Sequence, residues 1–132
     1  MKISTSAELF FEEFTMKILF IINDAPYGTE KTYNALRIAM ALQKEQTPPH
    51  IHIFLMADAV TCGLVNQDTL SGYYNIVRML KSILSKGGDV KTWGTCSNAR
   101  GQRDLPMIDG VEVSTMNQLT QWVADADKVL SF

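Results

Sequence analysis

The chain has 132 residues, of which 46% are hydrophobic and 20% are charged, and its formal net charge at pH 7 is −2. This length suits one domain with its own core, and the composition excludes a disordered protein. The charge lacks the basic excess that nucleic-acid binding needs, and the apolar runs fall far short of the roughly 20 residues that cross a bilayer, so neither nucleic acid nor a membrane is an expected partner.

The first fifteen residues differ from the rest. They combine a small Leu/Phe cluster with three glutamates, Glu8, Glu12 and Glu13, which argue against a secretory signal. Met16 begins a run that reads like a natural start. We expect residues 1–15 to be an N-terminal extension, either disordered, or ahead of the true start, or docked as a helix, and residues 16–132 to form a single domain.

From Lys17 onward, continuous apolar runs alternate with helical periodicity. Ile18–Ile22 is apolar without alternation, which predicts a central strand of a parallel sheet, buried on both faces. A helix is expected from about Thr29 to Lys44, before the prolines at 48 and 49. A second strand is expected from about Ile51 to Met56, with alternate residues on opposite faces.

The middle of the chain repeats this order. A short helix is expected within residues 58–64, and the longest helical periodicity predicts a helix over about 70–86. Gly87-Gly88 would end that helix through a left-handed cap. Val90–Trp93 is the predicted third strand, and a loop that contains Cys96 follows it.

The last third begins with a short helical piece expected at Leu105–Ile108, followed by a fourth strand at Gly110–Val113. Thr115 and Gln118 have the spacing of a capping box, and the helix they begin precedes a fifth strand within residues 127–132. The repeated order of strand and helix predicts an α/β fold, a three-layer α/β/α sandwich with a mainly parallel sheet of about five strands.

Ligands of such sheets bind outside the carboxyl ends of the strands, which directs attention to the loops at 23–29, 57–63 and 94–103. The first loop contains Gly28 and Lys31 ahead of a helix. It lacks the Gly-x-x-x-x-Gly-Lys-[Ser/Thr] spacing that wraps phosphates, so a turn is favoured there and no cofactor is expected.

The cysteines, Cys62 and Cys96, are too few for a disulfide scaffold and too far apart for a Cys-x-x-Cys motif. This usage predicts a cytoplasmic protein. Cys96 is either a nucleophile favoured by nearby cations or a small residue packed under its loop. Cys62 is a possible second thiol, although packing is favoured for it, and a thiol switch requires Cα atoms within about 7 Å.

Two histidines, His50 and His52, lie two apart on the second strand and face the same side. They would suit a metal ion only if a further ligand joined them. The sequence shows none, so solvated or hydrogen-bonded histidines are favoured and no metal is expected.

Six stretches together carry a family resemblance. They are Ala25 to Gly28, Phe54 to Val60, Gly72 to Ile76, Thr95 to Gly101, Leu105 to Glu112 and Ala126 to Phe132. They resemble the DsrE/DsrF-like family, closest to its YchN-like branch, over nearly all of the chain from Met16. The resemblance implies homotrimers or homohexamers, and relatives that pass sulfur as a cysteine persulfide in sulfur oxidation and tRNA thiolation.

One departure from the family concerns Trp93. Relatives that carry sulfur place their cysteine at this position, and in some YchN-like relatives a Cys-x-x-Cys arrangement has its second cysteine at the position of Cys96. Either Cys96 has taken over the sulfur-bearing role, or this chain keeps the assembly without the transfer chemistry.

The resemblance and the loop together predict an intracellular sulfur-relay protein, a sulfurtransferase-like persulfide carrier with donor and acceptor proteins as partners. Cys96 is the expected nucleophile, with Arg100 and Arg103 as thiolate stabilisers. The candidate pocket residues are Asp24, Tyr27, Trp93 and Thr95. The alternatives are a noncatalytic oligomeric module that binds a small molecule or anion, with Trp93 reshaping the pocket, and a Cys62/Cys96 redox switch.

Overall fold

The computed structural model describes residues 5–6, 15–70 and 74–132. The predictions of disorder or of a docked helix for the first fifteen residues fall almost entirely outside these ranges, as does part of the long helix predicted from residue 70. Within the described residues, no helix is long and apolar enough to cross a membrane.

Strands and helices alternate along the chain. The strands are β1 (Lys17–Ile22), β2 (His50–Leu55), β3 (Asp89–Trp93), β4 (Val111–Ser114) and β5 (Lys128–Ser131). The α-helices that join them are α1 (Lys31–Leu42), α2 (Ile76–Ser85), α3 (Gly94–Ala99) and α4 (Met116–Asp125), and a 3₁₀ helix, η1 (Ala57–Gly63), follows β2.

The five strands form one parallel sheet in the order β4-β3-β2-β1-β5. β1 lies inside the sheet between β2 and β5, and β2 is the middle strand. Parallel strands need helical crossovers, which cover both faces of the sheet. The predicted α/β fold is therefore confirmed.

The two faces have separate cores, because successive residues of a strand point to opposite sides. Ile53 and Leu55 of β2 pack with α1 and α2 in the larger core. Phe54 of the same strand packs with Leu119 and Trp122 of α4 on the other face. Burial of each such side chain stabilises the fold by about 1.5–3 kcal/mol, so the alternation fixes the orientation of β2.

Three predicted helix ends can be compared with the structure. Gly87 has a φ of 91° and ends α2 as expected, and the N–H of Gln118 donates to Thr115 Oγ1 over 3.3 Å, which is the first of the two hydrogen bonds of a capping box. The start of the long helix was predicted too early. Asn75 caps α2 by accepting the N–H of Arg78 at 3.0 Å, so the helix begins at Ile76.

Two predictions around Cys96 are wrong. The expected loop after β3 is the helix α3, which begins immediately after Trp93. The helical piece expected at Leu105–Ile108 is irregular instead, and Met107 within it forms an isolated antiparallel bridge with Leu64. Pro106 explains this difference, since proline has no N–H and disfavours helical backbone at the residue before it.

Candidate functional site

Cys96 is the third residue of α3, directly beyond the carboxyl end of β3. The start of α3 is packed closely against β4. A Cβ atom on Gly94 would lie 3.0 Å from Val113 Cγ1 and 3.4 Å from the carbonyl oxygen of Ser114. Glycine therefore lets α3 begin against β4, which fixes where the half-buried Cys96 lies.

The sulfur of Cys96 accepts a hydrogen bond from the backbone of the neighbouring strand end. The N–H of Ala57 donates to Cys96 Sγ over 3.3 Å. Ala57 has a φ of 49°, in the left-handed region that residues other than glycine seldom adopt. Such a conformation costs about 1–3 kcal/mol and is often found at functional sites.

Arg100 connects the same two segments. Its Nη2 and Nε donate to Asp58 Oδ1 at 2.8 and 3.0 Å, and its Nη1 donates to the carbonyl oxygen of Cys96 at 3.2 Å. These contacts direct the guanidinium to the carboxylate and the helix backbone. The structure thus gives Arg100 a positioning role: it holds α3 against the turn that supplies the Ala57 N–H.

The remaining residues predicted near Cys96 are distributed around it. Thr95 and Arg103 are exposed, one beside Cys96 in α3 and the other beyond its end. Trp93 is half-buried and packs against the core beneath α4. These positions leave Cys96 as the thiol at the carboxyl edge of β3.

Asp24 and Tyr27 stabilise the loop that follows β1. Asp24 Oδ2 accepts the hydroxyl of Thr29 at 2.6 Å, and the hydroxyl of Tyr27 accepts the N–H of Ile76 at 3.2 Å. The first contact closes the loop on itself, and the second joins the loop to the start of α2. These hydrogen bonds join neither side chain to Cys96, whose sulfur is bonded to the Ala57 N–H.

Cys62 differs from Cys96 in its surroundings. It lies in η1, fully buried within the larger core, and its thiol is free. Burial raises the pKa of Cys62 to about 12, because an apolar environment disfavours the charged thiolate. This environment disfavours the predicted redox switch and favours packing.

A second cluster lies at the opposite edge of the sheet. His50 Nε2 and His52 Nε2 lie 2.8 and 3.3 Å from Asp89 Oδ2. Burial, followed by the neighbouring His50, lowers the pKa of His52 to about 4, and Asp89 offsets this only in part. His52 is therefore neutral near pH 7 and its contact with Asp89 is a hydrogen bond. Sequence reasoning missed Asp89, which the pairing of β2 with β3 places beside His52.

Surface grooves lie elsewhere. A groove of about 920 Å³ runs along α1 and α2 and is bordered by Tyr33, Arg37 and Arg78. Another, of about 680 Å³, lies between Met16 and the prolines at 48 and 49. Cys96 lines neither of these two grooves, and its site is described by its hydrogen-bond contacts.

Comparisons with known proteins agree with one another. A model of the DsrE/DsrF-like family matches residues 16–132. The chain is 46% identical over 116 residues to protein YchN of Escherichia coli K12, which covers 88% of this chain and 98% of that protein. It is 37% identical over 115 residues to protein MK0008 of Methanopyrus kandleri, covering 87% and 93%. The crystal structure of E. coli YchN superposes with a TM-score of 0.85 at 45% identity, over 89% of this chain and 100% of that one.

Proposed function

This chain belongs to the DsrE/DsrF-like family, and we propose that it is a persulfide carrier of a sulfur relay in which Cys96 Sγ bears the transferred sulfur. The observation that carries the proposal is the 3.3 Å contact from the Ala57 N–H to that sulfur. The strained backbone holds the Ala57 N–H at the sulfur. This N–H stabilises the negative charge that the sulfur carries as a thiolate.

The transfer needs only thiol exchange. The Cys96 thiolate attacks the outer sulfur of a donor persulfide, so that a new sulfur–sulfur bond forms on Cys96 while the donor's sulfur–sulfur bond breaks and the donor leaves as a thiolate. An acceptor thiolate later attacks the outer sulfur on Cys96 and returns Cys96 to a thiolate. Both steps conserve electrons, so no added oxidant or reductant is required.

The neighbours of Cys96 support this role in different ways. Arg100 and Asp58 hold α3 in register with the turn after β2, which maintains the Ala57 contact. Thr95, beside Cys96 in α3, and Arg103, beyond the end of that helix, are both exposed, and a donor or acceptor protein would approach on this surface. By the family resemblance, Trp93 stands where sulfur-carrying relatives place their cysteine, and we therefore assign the sulfur-bearing role to Cys96.

We also propose that the chain assembles as a homotrimer or homohexamer in the cytoplasm. Apolar side chains are exposed along β4 and α4, with Val113 59% exposed and Met116 and Val123 each 43% exposed. Large apolar side chains that are exposed on one chain are available for contacts with another chain. Light scattering should report three or six chains per particle, and a monomeric mass would contradict this assembly.

Persulfide loading tests the function directly. The protein is incubated with a low-molecular-weight persulfide, such as that of glutathione, and its intact mass is measured. We expect a gain of one sulfur atom that a reducing thiol removes. The gain should be absent in Cys96→Ser and retained in Cys62→Ala, the matched control. An adduct that persists in Cys96→Ser, or none in the wild type, would overturn the proposal.

Persulfide loading, combined with measurements of thermal stability and of mild oxidation, separates the alternatives. A noncatalytic binding module predicts no sulfur adduct, together with thermal stabilisation by a small anion or metabolite that Cys96→Ser leaves unchanged. A redox switch predicts a disulfide between Cys62 and Cys96 after mild oxidation, visible as a loss of two hydrogen masses. The buried, protonated state of Cys62 argues against that outcome.

A further inference from the structure

We propose that His50, His52 and Asp89 form a binding site for a divalent transition-metal ion of the zinc type. The site lies at the amino edge of the sheet, where β2 and β3 begin, whereas Cys96 follows the carboxyl end of β3. It is therefore separate from the proposed persulfide site and does not depend on that function.

Strand geometry brings the three side chains together. His50 and His52 are two residues apart on β2, which places both on the same face, and their rings are 4.6 Å apart. Asp89 is the first residue of β3 and the register partner of His52. The ligands thus come from two adjacent, hydrogen-bonded strands, which hold the spacing of the set.

The distances between the ligand atoms suit a small metal ion. The two Nε2 atoms lie 2.8 and 3.3 Å from Asp89 Oδ2, and all three ligand atoms lie within 4.8 Å of one another. A tetrahedral zinc ion with bonds of about 2.0–2.1 Å separates its ligands by roughly 3.3 Å. Small side-chain rotations are enough to place one ion between the three atoms.

The donor set indicates the class of ion. Imidazole nitrogen is a preferred ligand of zinc, copper and nickel, and two imidazoles with one carboxylate leave a position open for water or another ligand. Calcium and magnesium prefer sets made of oxygen. The chemistry of these residues therefore favours a transition metal over either of those two ions.

The surroundings orient the ligands and leave access from solvent. The His52 ring stacks on Trp122 at 4.2 Å between centroids, with the planes 12° apart, and only 13% of its side chain is exposed. The side chains of His50 and Asp89 are 39% and 52% exposed. One fixed ligand and two accessible ones allow an ion to enter without unfolding of the sheet.

Nearby lysines limit the attraction for a cation. Lys91 lies 3.7 Å from Glu112 and 5.1 Å from the centre of the Trp122 ring, so its charge is partly compensated. Lys17 begins β1 and is the register partner of His50. The ion must be held by direct ligand bonds rather than by a negative field, which again favours a metal that binds imidazole.

Calorimetric titration of the full chain with Zn²⁺, prepared without a histidine tag, tests the site. We expect saturable binding of one ion per chain. Asp89→Asn and His50→Gln change exposed side chains, so the fold should survive, and each should weaken binding at least about tenfold. Glu112→Gln, a nearby exposed carboxylate outside the set, and Cys96→Ser should leave binding unchanged.

Tryptophan fluorescence gives a second measure of metal binding that does not depend on the calorimetric signal. In a Trp93→Phe background, Trp122 is the remaining tryptophan, and Cu²⁺ held by His52 should quench it saturably. The quenching should disappear when Asp89→Asn is added. The proposal is overturned if Zn²⁺ shows no saturable binding, if binding survives both ligand substitutions, or if Cys96→Ser abolishes it.

Discussion

The two edges of the sheet hold their polar groups in different ways. At the carboxyl edge, Cys96 is positioned by a strained turn at Ala57 and by the Arg100–Asp58 contact. At the amino edge, His52 and Asp89 are positioned by the pairing of β2 with β3, and the His52 ring also stacks on Trp122. The first arrangement depends on irregular backbone and can be disturbed locally, whereas the second is as stable as the sheet itself.

The largest effect is expected from Trp122→Ala, which removes the support of the amino edge. Trp122 lies on the buried face of α4, where it stacks on His52 and contacts Phe54 edge to face. Loss of a buried aromatic side chain costs about 3–5 kcal/mol of unfolding free energy. Urea denaturation at a fixed chain concentration should show this loss, while Gln121→Ala, an exposed neighbour in α4, should stay within about 0.5 kcal/mol. A loss below about 1 kcal/mol for Trp122→Ala would contradict the packing.

Alkaline pH should reduce the stability of the folded protein through Cys62. The pKa of Cys62 rises from 9.0 to about 12 in the folded protein. Between these values the unfolded chain has lost a proton that the folded chain keeps, so the contribution is fully present below pH 9 and is lost as pH rises toward 12. The slope is at most about 1.4 kcal/mol per pH unit. Denaturation at several pH values should show a shallower slope in Cys62→Ala, and equal slopes would refute the assignment.

Much of the fold could be predicted from the sequence because its signals are local. A strand buried on both faces reads as a continuous apolar run, which identified Ile18–Ile22. A glycine at a helix end identified the cap at Gly87. The family resemblance was likewise confirmed, since its motifs lie in sequence order along the chain.

The two sites depended on information that the sequence does not show locally. The α3 segment, Gly-Thr-Cys-Ser-Asn-Ala, consists mostly of weak helix formers, and packing against β4 and η1 imposes its helical form. Asp89 becomes a neighbour of His52 only through the register of β2 and β3. The positive φ of Ala57 has no sequence signal, because alanine seldom adopts it.

Gly94→Ala should disturb the carboxyl edge alone. The added methyl group would lie 3.0 Å from Val113 Cγ1, which is tight enough to shift α3 and to cost about 1–3 kcal/mol. Persulfide loading of Cys96 should slow, while Zn²⁺ binding at the amino edge stays unchanged. Gly28→Ala is the matched control, because its Cβ would meet only Ala25 Cβ at an ordinary 3.6 Å. Equal loading rates in the two variants would show that the position of α3 does not control the thiol.

Ala57→Gly tests whether the strained turn supports Cys96 or merely tolerates it. Glycine adopts the observed φ of 49° without the steric penalty that alanine pays, so the unfolding free energy should rise by about 0.5–1 kcal/mol, less the entropy that glycine adds to the unfolded chain. Asn66→Gly, at the other positive φ outside glycine, controls for the general effect of this substitution. Because the N–H of residue 57 remains, loading of Cys96 should persist at a similar rate if the bond alone matters. A gain in stability with slower loading would instead mean that the rigidity of the backbone at Ala57 holds the N–H on the sulfur. The reactivity of Cys96 at the carboxyl edge would then depend on backbone strain, whereas the ligand set at the amino edge lies on regular strands.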